Sequence, residues 1–467
     1  MIRILSCLCI VTLFFCDPNP KESSIDKYKE ILQSVQEDVQ SVRGLQFKRP
    51  VQLAMLSREE YAGYNDNYSS ADENLFSIEL KQLGFIPDSM QNFGEKLDSY
   101  DDGFAAAFYV PGTDSIYIID GDNYNKSIFS YYAAHELTHA LQEQNFNPFS
   151  RYIYPSNIQS KYDSDFYLSQ LCLAEGDASL SADLFFISQF HDISREEYVD
   201  TYISDARDTF YMELDSARIP RYLEIQSMAP YILGEYFVNS KQLVSGWAGV
   251  NALYHTNRIA STADIITLAQ HTQIQAFDYS KIFPLLLNNT QNLRFADDDT
   301  YGPIMLMGLL SEYVDEIHCK NAFGWQGDRI AYVLKDNKPY GSFIWTIQFK
   351  SIVDASYIKD AIVTMLTRKM VSGVLPLRSD SINQVTFSYP QFNTTLVQQD
   401  STLFWVENIN NPLQVIGLVR KSTLAKGTQI QKDYSTVSKT EKWKLMRKIF
   451  DRKYYRKGFD RFRLLPR

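Results

Sequence analysis

The sequence predicts an α+β protein in two parts, a mostly helical first part with a small sheet and a C-terminal α+β module. Three observations carry this. Phe104 to Val110 and Ser115 to Ile119 flank Pro111-Gly112-Thr113-Asp114, which reads as a β-hairpin. Ser127 to Gln144 contains no Gly or Pro, and Ile128, Tyr131, Tyr132, Ala134, Leu137, Ala140 and Leu141 form an apolar stripe at helical spacing. Beyond residue 300, short runs with strand character return. The chain has 467 residues, of which 45% are hydrophobic and 14% aromatic, enough for large cores. Its 31 Tyr and 29 Phe argue against disorder.

In chain order, Met1 to Cys16 reads as a targeting segment. Arg3 precedes an apolar run from Ile4 to Phe15, too short for a membrane span but suited to the core of a signal peptide. The run ends at Cys16, where a bacterial lipoprotein would be cleaved and acylated, although Phe15 stands where a small residue is usual. Residues 17–24 form a polar tether with two prolines. Residues 25–295 are expected as the first domain. In it, Ile25 to Val42 reads as a helix, Gln46 to Leu56 as a strand, and Asn74 to Leu83 as a helix; the hairpin and the Ser127 helix follow. A polar, aromatic loop over 145–163 leads to a helix from Phe166 to Phe190, and 196–290 reads as largely helical. Residues 296–430 are expected as the second module, with a hairpin from Asp328 to Phe349, a helix from Ala355 to Arg368, and strands at 386–388, 394–398 and 402–406. Residues 431–467 form a basic, aromatic tail.

The chemistry concentrates in the Ser127 helix, which holds His135-Glu136-Leu137-Thr138-His139, an H-E-x-x-H pattern. Residues four apart share a helix face, so His135 and His139 can present two imidazoles to one metal ion. Glu136 can reach a water held there and act as its base. Two histidines leave a catalytic zinc one protein ligand short, and a carboxylate on a second helix supplies it. Glu175, in Ala174-Glu175-Gly176-Asp177-Ala178, is the candidate. Asp177 is a candidate to hydrogen-bond a ligand histidine, and Gly176 to let two helices approach closely. Tyr231, His255, His271 and Arg329 are candidates to stabilise an oxyanion.

The stretches HELTHALQEQ (135–144) and LAEGDA (173–178) together resemble a family of bacterial zinc metallopeptidases, whose members read HELTHALQDQ followed by an (A/L)xEGDA helix. Further matches follow in order. PYILGEYFV from Pro230 is similar to the family's PYxxGxxFV, and GWAGVNALY from Gly246 to its GGWxxVxxLY. Ser261-Thr262 and His271 fall where the family has STxQILHP, with Thr272 in place of its proline. GWQGDR (324–329) is similar to GWGGDR. The resemblance spans about residues 103 to 350. It implies a zincin-like fold with a small sheet before the H-E-x-x-H helix, a gluzincin-like site with one zinc on His135, His139 and Glu175, and peptide-bond hydrolysis. An edge strand of that sheet could pair with an extended peptide substrate.

These readings point to an exported lipoprotein of the cell envelope, held to the membrane through Cys16 and acting on a peptide or protein. Residues 439–467 carry a net +9 within a chain of net −10, with Trp443, Leu445, Ile449 and Phe459 among the charges. This tail reads as a surface for anionic lipid or for the acidic body, or as a solvated extension. The net charge gives no reason to expect nucleic-acid binding. After removal of the signal segment, Cys172 and Cys319 would either pair or stay buried. Two other functional readings remain: a zinc-binding lipoprotein without protease activity that serves as envelope scaffold or binding module, and a metal-free interaction protein whose motif is structural.

Overall fold

The structure is a computed structural model that describes residues 25–57, 59–60, 70–91, 107–119, 126–153, 163–189, 194–199, 203, 220–256, 259–269, 274–287, 293–315, 319–335, 338–371 and 373–423. Cys16, the tether, His271 and the basic tail lie outside the described residues. The architecture is mixed α and β, as the sequence predicts.

The first core lies among helix α1 (Ile25–Arg43), helix α3 (Lys126–Phe146) and a three-stranded sheet. That sheet has the order β1 (Gln52–Leu56), β3 (Ser115–Ile119), β2 (Ala107–Val110), with β1 parallel and β2 antiparallel to β3. Tyr28, Val35 and Val39 of α1 pack with Ile116 and Ile118 of β3 and with Leu137 and Leu141 of α3. The hairpin turns over residues 111–114, where the sequence places the turn, with Gly112 at φ 88°.

Helix α4 (Ser164–Ser188) is the centre of the molecule. Every residue from Ser164 to Asp183 is buried, so the helix is enclosed on all sides. It packs against α1, α3 and the long helix α6 (Arg221–Thr256). The crossing of α4 and α6 depends on two glycines. A Cβ on Gly176 would sit 2.0 Å from the backbone carbon of Gly234, and a Cβ on Gly234 would sit 2.2 Å from the carbonyl oxygen of Cys172. Only residues without side chains allow this separation. Helix α6 bends at Gly246, whose φ of 61° and ψ of −171° are outside the helical region and open to glycine. The bend starts a second helical run and turns Trp247 and Tyr254 back toward α1 and α4.

The C-terminal part is a seven-stranded antiparallel sheet. Its order is β5 (Leu293–Asp299), β6 (Trp325–Lys335), β7 (Ser342–Phe349), β11 (Thr402–Glu407), β10 (Asn393–Gln399), β9 (Gln384–Ser388), β8 (Leu377–Ser381). Helix α10 (Ile352–Arg368) packs on one face, with α9 (Gly302–Ser311) between the sheet and α6. On the other face Phe277, Ile282 and Ile416 cover Val333, Ile344 and Phe404.

Strand β5 crosses the expected boundary at 295/296, and one continuous core runs from Leu80 through Leu168 and Leu233 to Trp345 and Trp405. Helix α2 (Ser70–Leu83), expected with the first part, serves the second: the Gln82 side chain donates to Gly341 O and accepts from Tyr332 Oη and Gly341 N. The described residues of 196–290 are largely helical, as expected, except for β4 (Gln275–Asp278), which pairs with β12 (Arg420–Thr423) near the end of the described chain.

Among the described residues, no helix is long and apolar enough to cross a membrane. Cys172 and Cys319 are both buried and unbridged.

Candidate metal centre

Helix α3 brings His135 and His139 to the same side, toward α4. There Glu175 meets them. His135 Nε2 lies 3.0 Å from His139 Nε2 and 3.2 Å from Glu175 Oε2, and His139 Nε2 lies 3.6 Å from that same oxygen. An ion bonded to three such atoms at about 2.0–2.2 Å in tetrahedral geometry would place them about 3.4 Å apart. The three atoms therefore already stand at the corners of one face of such a tetrahedron. Among the described residues this is the one cluster of His, Cys, Asp and Glu with metal-binding spacing.

The surroundings fit a cation as well. His135, Glu136, His139 and Glu175 are 4%, 4%, 1% and 0% exposed. Glu175 Oε1 is buried without a hydrogen-bond donor, and His135 Nδ1 is buried without a partner. A buried carboxylate oxygen without a donor is costly unless a cation offsets it. Burial raises the Glu175 carboxyl, but His139 and His135 outweigh that, and the net shift is downward. Burial opposes the His139 cation, yet Glu175 and Glu136 push its pKa up on balance. The three residues could hold a metal ion.

Comparison with known proteins gave no matching family model, curated protein or solved structure.

The base candidate is well placed. Glu136 Oε2 accepts the backbone N–H of Tyr109 in β2 at 2.8 Å, so the sheet orients the carboxylate and leaves Oε1 for other work. Burial pushes the Glu136 pKa above the usual carboxylate range, against the pull of His139 and His135. Rings close the site. Tyr231 of α6 stacks on His135 with centroids 6.0 Å apart, a placement that the glycine crossing three residues further along makes reachable. The rings of Phe149 and His139 stand perpendicular with centroids 5.3 Å apart. Phe149 begins a short π-helical turn (Phe149–Ile153) anchored where the Glu143 carboxylate accepts Phe149 N–H at 3.0 Å.

Two predicted site residues have other work. Asp177 does not reach a ligand histidine. Two residues along a helix is a rotation of about 200°, so Asp177 faces away from Glu175. Its carboxylate accepts Arg43 Nε at 2.6 Å, Arg43 Nη2 at 3.0 Å and Tyr254 Oη at 2.8 Å. Arg43 also stacks over Trp247, 4.3 Å from the ring centroid. This buried knot ties α1, α4 and the second run of α6 together. Arg329 is likewise committed: it pairs with Asp298 at 2.5 Å and with Asp163 at 3.2 Å. Its neighbour Asp328 accepts N–H groups from Trp325, Trp345, Tyr301 and Gly302, so the GWQGDR stretch joins β6, β7 and the start of α9. His255 is exposed at the end of α6, edge-on to Phe146.

Sequence reasoning missed Gln142 and the Tyr109 amide. Gln142 Oε1 lies 3.0 Å from His139 Nδ1, and its Nε2 donates to Ala174 O at 2.9 Å. The i, i+3 spacing from His139 was the available signal. The Tyr109 contact is a backbone contact across elements, and no residue pattern encodes it.

Proposed function

We propose that this chain is a zinc-dependent metallopeptidase of gluzincin type, exported and held to the cell envelope through Cys16. The observation that carries the proposal is the convergence of His135 Nε2, His139 Nε2 and Glu175 Oε2 at tetrahedral spacing, with the Glu136 carboxylate on the adjacent residue. Two imidazoles and one carboxylate leave a fourth position for water or substrate, which is the composition of a catalytic zinc site. Zinc bound here would supply acidity to a water and polarise the scissile carbonyl.

The protein's own groups do the rest. Glu136, fixed through Oε2 by the Tyr109 amide, takes the proton of the attacking water on Oε1 and returns it to the leaving amine. In the metal-free protein burial raises the Glu136 pKa, the direction that suits a group acting first as base and then as acid. Tyr231, whose ring stacks on His135, would be the donor to the developing oxyanion. Arg329, paired with Asp163 and Asp298, is given no step in this scheme.

A second reading, zinc binding without proteolysis, draws support from the depth of the site and from the hydrogen bond that already occupies Glu136. One experiment separates the two. The zinc-loaded protein and its Glu136→Gln variant are assayed against a peptide library. Gln keeps an acceptor for Tyr109 but cannot take a proton. The peptidase reading expects cleavage by the wild type and a loss on the order of 10²–10⁴-fold in the variant at unchanged zinc content. A zinc-loaded wild type that cleaves no peptide supports the second reading. Cleavage that survives the substitution rejects the mechanism.

A further inference from the structure

We infer that Gln142 is the positioning residue that sets the tautomer of His139 and thereby presents its Nε2 lone pair to the metal. The inference rests on the reading that His135, His139 and Glu175 hold an ion. It follows from a chain of forced choices. Ala174 O is a backbone carbonyl and can only accept. The Gln142 side-chain atom 2.9 Å from it must therefore be the NH₂. The amide oxygen then faces His139 Nδ1 at 3.0 Å and can only accept in turn. Nδ1 must carry a hydrogen, and in the neutral ring Nε2 is left with the lone pair. That atom is the one 3.0 Å from His135 Nε2 and 3.6 Å from Glu175 Oε2. The reversed amide would donate to an unprotonated Nδ1 instead, but it would set two oxygens against each other 2.9 Å apart at Ala174, and that clash rules it out.

The two histidines are unequal in this respect. His135 Nδ1 is buried without a partner and the acceptor beside its Nε2 is Glu175 itself, so no side chain outside the three ligands selects its tautomer. His139 is prepared for metal before metal arrives. The same amide ties α3 to the carbonyl immediately preceding Glu175, so one side chain orients one ligand and fixes the helix that carries another. Outer-shell partners of this kind typically contribute about 10–100-fold to metal affinity.

The two roles of Gln142, acceptor for His139 and tether to Ala174, are separable. Gln142→Met removes both. Gln142→Glu keeps an acceptor for Nδ1–H and loses the donor to Ala174. The measurements are zinc affinity by chelator competition and, in ¹⁵N-histidine-labelled zinc-loaded protein, the Nδ1–H proton of His139. The wild type is expected to show that proton slowed in exchange with solvent. Gln142→Met is expected to lose the slow proton and about 10–100-fold in affinity. Gln142→Glu is expected to keep the proton and stay within about threefold of wild type, with a lower melting temperature from the lost tether. Equal losses in both variants would make Gln142 a tether only and overturn the inference, as would wild-type affinity in Gln142→Met. If Gln142→Met does not fold, the wild-type proton and Gln142→Glu decide. A wild type that takes up no zinc removes the metal reading itself, and the Nδ1–H proton then decides the tautomer alone.

Discussion

Gly176→Ala tests whether the α4–α6 crossing is what builds the site. The added Cβ would lie 2.0 Å from Gly234 C, 2.2 Å from Gly234 O and 2.5 Å from Glu235 N. Ordinary carbon contacts are about 3.5–4.0 Å, so the helices must part by roughly 1.5 Å. Overpacking costs about 1–3 kcal/mol where side chains can yield. Here backbone meets backbone and nothing yields, so the upper end applies. The Gly-to-Ala change returns about 1 kcal/mol of helix propensity, which leaves a net loss of about 2 kcal/mol. Glu175 shares the displaced turn, so zinc affinity should fall as well, on the order of tenfold. Urea unfolding of the zinc-free protein reads the first effect and chelator competition the second. Gly234→Ala, with its contact of 2.2 Å to Cys172 O, should behave alike. A Gly176→Ala protein as stable as wild type, with unchanged zinc affinity, would refute the claim that this close approach positions Glu175.

Other outcomes follow from the same geometry. Asp177→Ala strands the buried Arg43 cation and should destabilise the fold by about 3–5 kcal/mol, whereas the double variant Arg43→Met with Asp177→Leu should lose less than the single one; urea unfolding of both checks this. Zinc affinity should depend on pH with a definite sign. The metal-free His139 pKa is raised above the ordinary 6.5, so below that raised value zinc must displace a proton, and affinity should fall about tenfold per pH unit as acidity increases. The lowered Glu175 carboxyl is already ionised across that range and adds no slope there. Affinities measured from pH 9 to 5.5 should level off at the alkaline end; a flat profile throughout would contradict the assignment of His139. Asp165, buried and raised to about 8, is protonated in the folded state over a range where the unfolded chain has lost the proton. Its contribution to stability is therefore present at acid pH and lost as pH rises toward 8. Asp165→Asn should flatten the stability–pH slope by about 1.4 kcal/mol per unit between pH 5 and 7.5.

The parts of this molecule legible in its sequence are those carried by local periodicity. The helix bearing His135 and His139, the hairpin before it and the helix bearing Glu175 all announce themselves by spacing, and the two histidines and Glu175 do meet. The rest depended on partners far along the chain. Asp177 stands beside Glu175 in an acidic pair, but its partner is Arg43, 134 residues away. Helix geometry alone argued against its facing the site. Arg329 is an oxyanion candidate by sequence, yet the carboxylates of Asp163 and Asp298 pair with it. β5 ends in Asp297-Asp298-Asp299, three acids in a row with no apolar alternation to mark a strand. It is an edge strand whose acids are buried; Asp298 is paired with Arg329, and Asp299 accepts the amides of Ser164 and Thr300. Helix α9 is buried on every side and so lacks the amphipathic signature by which a helix is recognised.

The central claim is that His135, His139 and Glu175 hold one zinc ion, and metal analysis tests it most directly. Wild type and Glu175→Ala are each loaded with zinc, dialysed against a weak chelator and assayed for metal per chain. The account expects about one zinc per wild-type chain and a large loss in the variant, because two imidazoles remain where a catalytic site uses three protein ligands. Equal zinc in both would remove Glu175 from the site, and no zinc in either would leave the motif as structure alone.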